Sequence, residues 1–561
     1  MVNKFLRVLH KEFRGLHQAA FLLGTASLLS QVLALLRDRL FASRFGAGDT
    51  LDLYYAAFRI PDLLYASVAS FVSVTVLIPF VVDRLDGNHG DAVRKFLSDV
   101  FSVFLVVMAI VSAVAFVFAP WVTGFFFQGF SGEEQGTLVT LTRLLLLSPF
   151  LLGVSNLFGS VTQVLRKFFI YALSPILYNV GIIFGVLFLY PIYGIIGLGY
   201  GVLLGAALHL GIQYPVLRKD HLVPRFSLRV NKGDIKRVAT LSLPRTLGLS
   251  VYHFTFLILL SLASSMMPGS ISIFNLSFNL QSVPLAIIGI SYSVAVFPVL
   301  AGFFSNKEMG RFMENIGTAA RHIIFWSFPV MVLFIVLRAQ IVRTILGSGK
   351  FGWEDTQLAA ACLALFSVSL VAQSLVLLFV RGYYAAGNTR TPVLINVFSS
   401  ASVIGVAVLL TRVFSDFPIF RYFIESLFRV EEVKGTVVLM LPLAYSIGNI
   451  VNVAALAYMF RRDFGSGKLF VSRTFLQSFS AAVFMGVVAY RSLSILNVYV
   501  FGTVDTLFEV FLQGLLAGLL GVVSGIIVLR VLGSSELEEV WSAFHSRFWK
   551  ARVVVPEQEE L

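Results

Sequence analysis

Residues 100–120 read VFSVFLVVMAIVSAVAFVFAP, a run that contains no charged side chain. As an α-helix, such a run is long enough to cross the roughly 30 Å hydrocarbon core of a bilayer. Comparable runs recur, for example LSPILYNVGIIFGVLFLY (173–190) and VFLQGLLAGLLGVVSGIIVLRVL (510–532). The chain of 561 residues is 57% hydrophobic and only 13% charged, whereas soluble domains carry about 25% charged residues. The composition therefore predicts an all-α polytopic membrane protein, because lipid offers backbone groups no hydrogen-bond partners.

The apolar runs predict about 14 transmembrane helices. Their approximate bounds are 16–36, 58–82, 97–119, 138–159, 170–190, 194–216, 238–263, 271–300, 322–345, 358–380, 393–413, 436–459, 473–490 and 508–532. Basic connections divide them into six, six and two. We expect a bundle over 1–217, a basic cytoplasmic linker at 218–237, a second bundle over 238–460, a helix pair within 461–535 and a cytoplasmic tail at 536–561.

The basic residues predict the orientation of the chain. If the N-terminus is cytoplasmic, about two thirds of the 43 lysines and arginines fall in cytoplasmic segments, as the positive-inside rule requires. We therefore expect both termini inside and an uncleaved first helix. The net charge of +13 then reflects topology and contact with anionic lipid headgroups, and its scatter over short loops argues against nucleic acid as a partner.

The chain shows no pattern of an enzyme. Its segments LGSGKFG (346–352) and FGSGKLF (464–470) lack the spacing and the hydroxyl residue of a phosphate-binding loop. The eight histidines form no zinc motif, and one cysteine, Cys362, cannot build a structural zinc site. We therefore expect no catalysis, no metal and no cofactor, which leaves transport across or within the bilayer.

A charged cluster interrupts the apolar pattern near the start of the chain. Between 35 and 64 stand eight ionisable residues: Arg37, Asp38, Arg39, Arg44, Asp49, Asp52, Arg59 and Asp62. The segment FGAG (45–48) should end the first helix, and a new helix should begin near Asp52. Because Asp52, Arg59 and Asp62 are spaced by seven and three positions, they share one face of that helix.

Charges at membrane depth usually face a cavity or each other, because burying them in lipid is costly. For Arg37, Asp52 and Arg59 we predict cavity-facing roles, while Arg39, Arg44 and Asp49 fit an interfacial role. The most isolated charge is Arg245, which follows Pro244 inside a predicted span. It needs an anionic partner, either a carboxylate of the protein or a ligand.

Several blocks of sequence together resemble the MurJ (MviN) lipid II flippases, a family of the multidrug/oligosaccharidyl-lipid/polysaccharide (MOP) exporter superfamily. The blocks are LLSQVLALLRDRLFASRFGAGDTLDLYYAAFRIPDLL (28–64), PILYNVGIIFG (175–185), YPIYGIIGLGYGVLLGAALHLGIQYPVLRK (190–219), GKFGWEDT (349–356) and RGYYAAGNTRTPV (381–393). They lie in order over most of the first 400 residues. Beyond about residue 415, only the pattern of spans supports the resemblance.

The resemblance implies two six-helix lobes around a central cavity and a C-terminal helix pair that forms a groove for a polyprenyl tail. It implies a bacterial inner-membrane protein that moves the undecaprenyl-pyrophosphate-linked peptidoglycan precursor to the outer leaflet by alternating access. Membrane lipids and this substrate are then the expected partners, and we expect a monomer. Arginine suits such a cargo, because its planar guanidinium matches phosphate oxygens. The substrate-binding residues predicted here are Arg37, Asp38, Asp52, Arg59 and Arg245.

The chain departs from the family pattern at several positions. The family arginines of the first span, of the second span and of the eighth span are replaced by Gln31, by Tyr65 and Ala66, and by Asn279. We hypothesise that Arg37, Arg59 and Arg245 replace this phosphate-binding set. The alternatives are an exporter of another undecaprenyl-linked glycan or amphipathic solute, and a non-transporting membrane scaffold. The coupling ion stays open, since Asn388 stands where the family loop often has Asp.

Overall fold

The structure, a computed structural model, describes residues 16–72, 74–85, 90–465, 471–502 and 506–548. Within these ranges every regular element is helical. The α-helices are α1 (Leu16–Phe45), α2 (Asp49–Ala57), α3 (Arg59–Val68), α4 (Val74–Leu85), α5 (Gly90–Phe126), α6 (Gly132–Leu145), α7 (Ser148–Val164), α8 (Phe168–Phe184), α9 (Tyr190–Tyr193), α10 (Ile195–Gly211), α11 (Tyr214–Lys219), α12 (Lys232–Ser264), α13 (Ser270–Leu285), α14 (Ser291–Ser305), α15 (Met309–Val336), α16 (Arg338–Ile345), α17 (Trp353–Ser367), α18 (Leu370–Ala385), α19 (Arg390–Asp416), α20 (Pro418–Phe428), α21 (Met440–Phe464), α22 (Ser472–Leu496), α23 (Leu507–Val531) and α24 (Ser535–Phe548). The N-terminal 15 residues and the end of the C-terminal tail, to which the sequence assigns a cytoplasmic location, lie outside the described ranges.

The lengths and hydropathy of these helices confirm an all-α polytopic membrane protein. In the described part of the chain, 11 helical segments are long and apolar enough to cross a membrane. The number becomes 12 if α17 and α18, which meet at an angle of 44°, form one broken span. The expected number of about 14 spans is not confirmed by this count.

The chain forms two compact units, and each contains segments that are distant in sequence. Unit 1 comprises the described residues of Met1–Val283, Val342–Phe366 and Asn388–Asn452. Unit 2 comprises those of Pro284–Ile341, Ser367–Gly387 and Val453–Leu561. The six, six and two division of the sequence stays a prediction.

In unit 1, the first helix ends where the sequence predicts, at a glycine-containing connection. Helix α1 carries the charged cluster to Phe45, and α2 begins at Asp49, three residues before the predicted start. Gly46 has φ +67°, a left-handed conformation that is costly for residues with a Cβ. A one-residue break at Phe58 separates α2 from α3, so the charges of residues 49–62 lie on two short helices and not on the single helix that the sequence predicts.

Two glycine pairs allow α8 and α10 of unit 1 to pack with their backbones in close approach. A Cβ added to Gly181 would lie 2.3 Å from the Cα atom of Gly205, and one on Gly185 would lie 2.6 Å from that of Gly201. Small residues at such spacing are typical of helix pairs in membranes, where close backbone packing replaces the hydrophobic effect. This pairing holds α8 in a defined position within unit 1.

Unit 2 has its own apolar clusters. Ile324 and Phe328 of α15 pack with Val371 of α18 and Ala482 of α22. On the same helix, Phe325 packs with residues of α22 and α23, and Leu537 and Val540 of α24 cover that cluster. The last helix is therefore docked on the helical core of unit 2.

Candidate functional site

An ion pair on α1 is the centre of a buried polar network in unit 1. The Nη2 atom of Arg37 lies 2.8 Å from Oδ1 of Asp38, and its Nε atom donates to the same oxygen at 3.0 Å. From α8, Asn179 accepts a hydrogen bond from Nη1 of Arg37 at 3.1 Å. From α13, the side-chain amide of Asn279 donates to Oδ2 of Asp38 at 2.9 Å. Three helices thus share one guanidinium–carboxylate pair, and Asp38 is only 2% exposed.

The carboxylate of Asp52 caps the N-terminus of α13. It accepts the backbone N–H groups of Gly269 and Ser272, each at 2.7 Å, and the hydroxyl of Ser272 donates to it as well. These are N–H groups that a helix leaves unsatisfied at its start, where its dipole favours a negative charge. Gly269 has φ +91°, and a Cβ on it would lie 2.4 Å from the carbonyl oxygen of Ala47. The connection after α1 therefore packs directly on the start of α13.

Arg59 is held by a neutral partner. Its Nη2 atom donates to the side-chain oxygen of Asn275 on α13 at 2.7 Å, and its guanidinium lies 5.9 Å from the ring centre of Phe256. Its buried Nε atom has no hydrogen-bond partner within the described ranges. A buried guanidinium with an amide partner and a free N–H keeps capacity for an anion.

The meeting of Arg37, Arg59 and Arg245 in one cavity stays a prediction. Arg37 and Arg59 both interact electrostatically with Tyr55, so they belong to one neighbourhood of unit 1. Arg245 lies on α12, but its side chain is outside the described part of the structure. Its role stays a prediction.

A second set of contacts joins two of the sequence blocks that carried the resemblance. Lys350 donates its backbone N–H to the carbonyl oxygen of Ser43 at 2.9 Å. Arg39 donates a hydrogen bond to the carbonyl oxygen of Thr344 at 2.6 Å, so its partner is a backbone group of unit 1. Asp355 accepts the amide of Gly352 at 3.0 Å. The segments around 39–48 and 344–355 thus form one layer of backbone and side-chain contacts.

The sequence did not identify the amide partners of the charged cluster. Asn275 and Asn279 lie four positions apart on one face of α13, and Asn179 lies on α8. The signal was present, because these are amides inside apolar runs, where unpaired polar groups are costly. In the sequence, Asn279 is recognisable only as the replacement of a family arginine. With an amide there, Asp38 keeps Arg37 as its ion-pair partner in the described structure.

The other departures from the family pattern fall in unit 1 as well. The hydroxyl of Tyr65, on α3, accepts a hydrogen bond from the side-chain amide of Asn156 at 2.7 Å. Ala66, on the same helix, is buried. Among the described residues, no group of three or more His, Cys, Asp and Glu side chains could hold a metal ion.

Comparisons with known proteins give one consistent family. The family model described as "Lipid II flippase MurJ" matches residues 41–512. The Burkholderia cenocepacia protein named "Lipid II flippase MurJ" is 25% identical over 394 residues, which cover 68% of this chain and 76% of that protein.

Solved structures agree on the fold. A structure described as "Lipid II flippase MurJ, inward closed conformation" superposes with a TM-score of 0.70 at 22% identity, over 93% of this chain and 100% of that chain. A multidrug resistance MATE family transporter of the MOP superfamily, in an inward-facing conformation, reaches 0.62 at 15% identity, over 79% and 96%.

The matched segment begins inside α1 and ends inside α23, so it includes Asp52, Arg59 and nearly all the helices described above. The family consists of membrane flippases rather than enzymes, and it implies a location in the bacterial inner membrane. On this evidence the chain belongs to the lipid II flippase MurJ family.

Proposed function

We propose that this protein moves a lipid-linked peptidoglycan precursor of the lipid II type from the inner to the outer leaflet of the bacterial inner membrane. The observation that carries the proposal is the family match over residues 41–512. The name of the relative from Burkholderia cenocepacia supports the same activity. In this proposal the chain acts as a monomer, with both termini in the cytoplasm, by alternating access.

Arg37 and Arg59 are the proposed ligands of the cargo's diphosphate. In the structure, Arg37 donates a hydrogen bond to the side-chain oxygen of Asn179, and Arg59 donates one to that of Asn275. A guanidinium binds a phosphate through short, often bidentate hydrogen bonds in which both partners are charged, whereas an amide oxygen offers a neutral acceptor. A diphosphate can therefore replace the amide oxygens as the acceptor of these guanidinium groups. After the cargo is released, the hydrogen bonds to the amides form again. Arg245 is the proposed third cation.

Asp38 and Asp52 are proposed to act on the protein rather than on the cargo. Each ties the N-terminal helices to α13 through Asn279 or through the start of that helix. Alternating access requires contacts that can break and reform, and hydrogen bonds to one helix end or to one amide can do so. In the proposal, diphosphate binding to Arg37 weakens its pair with Asp38 and so favours the rearrangement.

The replaced family arginines favour a second candidate, an exporter of another undecaprenyl-linked glycan. Asn279 donates to Asp38 and Tyr65 accepts from Asn156, so neither position offers a cation. Fewer fixed cations suit a cargo with less phosphate charge than a diphosphate. Both candidates share the polyprenyl carrier and differ in the headgroup.

The test combines growth with direct binding. In a bacterium depleted of its own flippase, the wild-type chain should restore growth, and Arg59→Gln should not, because glutamine keeps a donor for Asn275 but removes the charge. Arg311→Gln is the matched control, since Arg311 forms an exposed ion pair with Glu308.

Native mass spectrometry of the purified protein with lipid II and with a second undecaprenyl-linked glycan then identifies the headgroup. Preferential retention of lipid II, weakened by Arg59→Gln, supports the first candidate. Preferential retention of the other glycan supports the second. Retention of neither, together with full growth of the Arg59 variant, would contradict a transport role for this residue.

A further inference from the structure

An open groove in unit 1 lies between the end of α5 and the start of α6, and the proposed transport cycle does not use it. Its volume is about 740 Å³, and its walls include Gly124 and Gln128 at the end of α5 and Gly136 and Thr140 on α6. A Cβ added to Gly124 or to Gly136 would meet nothing within 4 Å, so both glycines border open space. The absence of side chains at these two positions helps to keep the groove open.

The cation in the wall of this groove is Arg143 of α6, which is fixed to α5 at a proline. Because Pro120 has no N–H, the carbonyl oxygen of Phe116, four positions earlier, lacks its usual donor within the helix. The Nε atom of Arg143 donates to that oxygen at 3.0 Å, and its guanidinium lies 4.6 Å from the ring centre of Phe116. The free carbonyl and the aromatic ring of α5 thus hold the guanidinium in place.

The Nη groups of Arg143 are available to a ligand. Within the described ranges only its Nε atom donates a hydrogen bond, and no carboxylate forms an ion pair with it. The acidic residues at the start of the same helix, Glu133 and Glu134, do not line the groove. Glu134 instead accepts the backbone N–H of Ser131 at 2.7 Å. A guanidinium whose Nη donors are free and whose charge is not balanced has the capacity to bind an anion.

Aromatic side chains on α5 place the groove at the level of the lipid headgroups. The apolar run 100–120 ends where the groove begins, and the exposed rings of Trp121 and Phe125 follow, stacked at 6.0 Å between their centres. Tryptophan is enriched where a helix passes from hydrocarbon to water. One turn before Trp121, Val117 and Phe118 are also exposed, as residues in contact with acyl chains are. A lipid whose tails lie along this part of α5 has its phosphate at the height of the groove.

We propose that this groove binds the headgroup of an anionic membrane phospholipid, with Arg143 as the charged ligand of its phosphate. The planar guanidinium matches two phosphate oxygens, and the phosphodiester supplies the negative charge that Arg143 lacks within the described protein. A groove of about 740 Å³ has room for a glycerol headgroup together with the phosphate. The bound lipid is distinct from the transported cargo, because neither Arg37 nor Arg59 lines this groove.

The test is native mass spectrometry of the full chain, purified in detergent and titrated with phosphatidylglycerol. Arg143→Gln should raise the apparent Kd of the most tightly held lipid about tenfold, as expected for the loss of one charge-assisted contact. Gly136→Leu should weaken binding to a similar extent, because it fills the groove while Arg143 stays in place.

Each variant has a matched control in unit 2. Arg311→Gln removes an exposed arginine that pairs with Glu308. Gly302→Leu adds the same side chain at another helical glycine, where a Cβ also meets nothing within 4 Å. Both controls should bind phosphatidylglycerol as the wild type does. Equal binding by the wild type, Arg143→Gln and Gly136→Leu would overturn the proposal.

Three competing ligands separate the possible sources of the phosphate. Phosphatidylcholine, whose headgroup has no net charge, should bind the wild type more weakly than phosphatidylglycerol does and should not distinguish the wild type from Arg143→Gln. Inorganic phosphate should not displace phosphatidylglycerol, and displacement by it would overturn the assignment to a lipid. Retention of lipid II in preference to phosphatidylglycerol, lost in Arg143→Gln, would overturn the assignment to a phospholipid and make the groove a cargo site. The assay measures no transport, so failure of this proposal leaves the proposed function standing.

Discussion

The carboxylate of Asp52 accepts the backbone N–H of Gly269 at 2.7 Å, although 217 positions separate the two residues. The contact joins α2 to the first turn of α13, and Ser272 adds a second backbone N–H to the same carboxylate. A single side chain thus satisfies two donors at the start of a helix that is distant in sequence.

Asp52→Asn should lower the thermal midpoint of the protein. An asparagine side chain has one oxygen for the two N–H donors, and its own NH₂ group would point at a donor. Leaving one buried N–H unsatisfied costs about 1–3 kcal/mol. Thermal denaturation in detergent measures the change, and Asp49→Asn on the exposed start of the same helix is the control. Equal midpoints for the two variants would contradict the capping role of Asp52.

Asn275→Asp should stabilise the protein and impair its transport. The new carboxylate would replace a neutral acceptor of Arg59 at 2.7 Å with a charged one. Such a charge-assisted bond contributes about 1.5–3 kcal/mol, and it competes with a diphosphate for the same guanidinium.

The measurements are the thermal midpoint and the growth of a flippase-depleted strain. Asn275→Ala is the control, because it removes the amide without adding a competitor for Arg59. Normal growth with the Asn275→Asp variant would show that Arg59 does not have to be released from α13.

Gly181→Ala should destabilise the pair formed by α8 and α10. The added Cβ would lie 2.3 Å from backbone atoms of Gly205, so the two helices would have to separate. Overpacking of this kind costs about 1–3 kcal/mol. The thermal midpoint is again the measurement, and Gly405→Ala is the control, since a Cβ there has nothing within 4 Å. A midpoint drop that is the same for both variants would exclude a specific effect of the close approach.

The docking of α24 on unit 2 should depend on pH through Glu536. Burial by itself would raise the pKa of this carboxyl group. Hydrogen bonds from Thr474 and Ser534 and the positive charge of Arg321 lower the pKa by more than burial raises it, so the pKa lies below its ordinary value. A lowered pKa stabilises the docked helix at neutral pH, and that stabilisation is lost as the pH falls through the pKa of the folded state.

In limited proteolysis, cleavage next to α24 should therefore be faster at acidic pH than at neutral pH. Glu536→Gln should make the cleavage faster at neutral pH and independent of pH in this range. An unchanged pH profile in this variant would assign the effect to another group.

The predictions from the sequence were strongest where local pattern decides structure. The apolar runs predicted membrane helices, and the segment FGAG predicted the end of α1, because glycine and the loss of periodicity act within a few residues. The charged cluster at 37–62 was recognised because charges beside apolar runs are costly. Its partners were not, since Asn179, Asn275 and Gly269 lie on helices, or next to the start of one, that no local rule brings to residues 37–62.

The sequence by itself determined that this protein is helical, that it lies in the membrane and that it belongs to a family of lipid flippases. These properties follow from composition, period and motif, each of which can be read along the chain. Only the tertiary structure decided that Arg59 is held by Asn275 and that Asp52 caps α13. The physical reason is that a charge at membrane depth is defined by what lies within a few ångströms of it, and those neighbours come from helices far away in sequence.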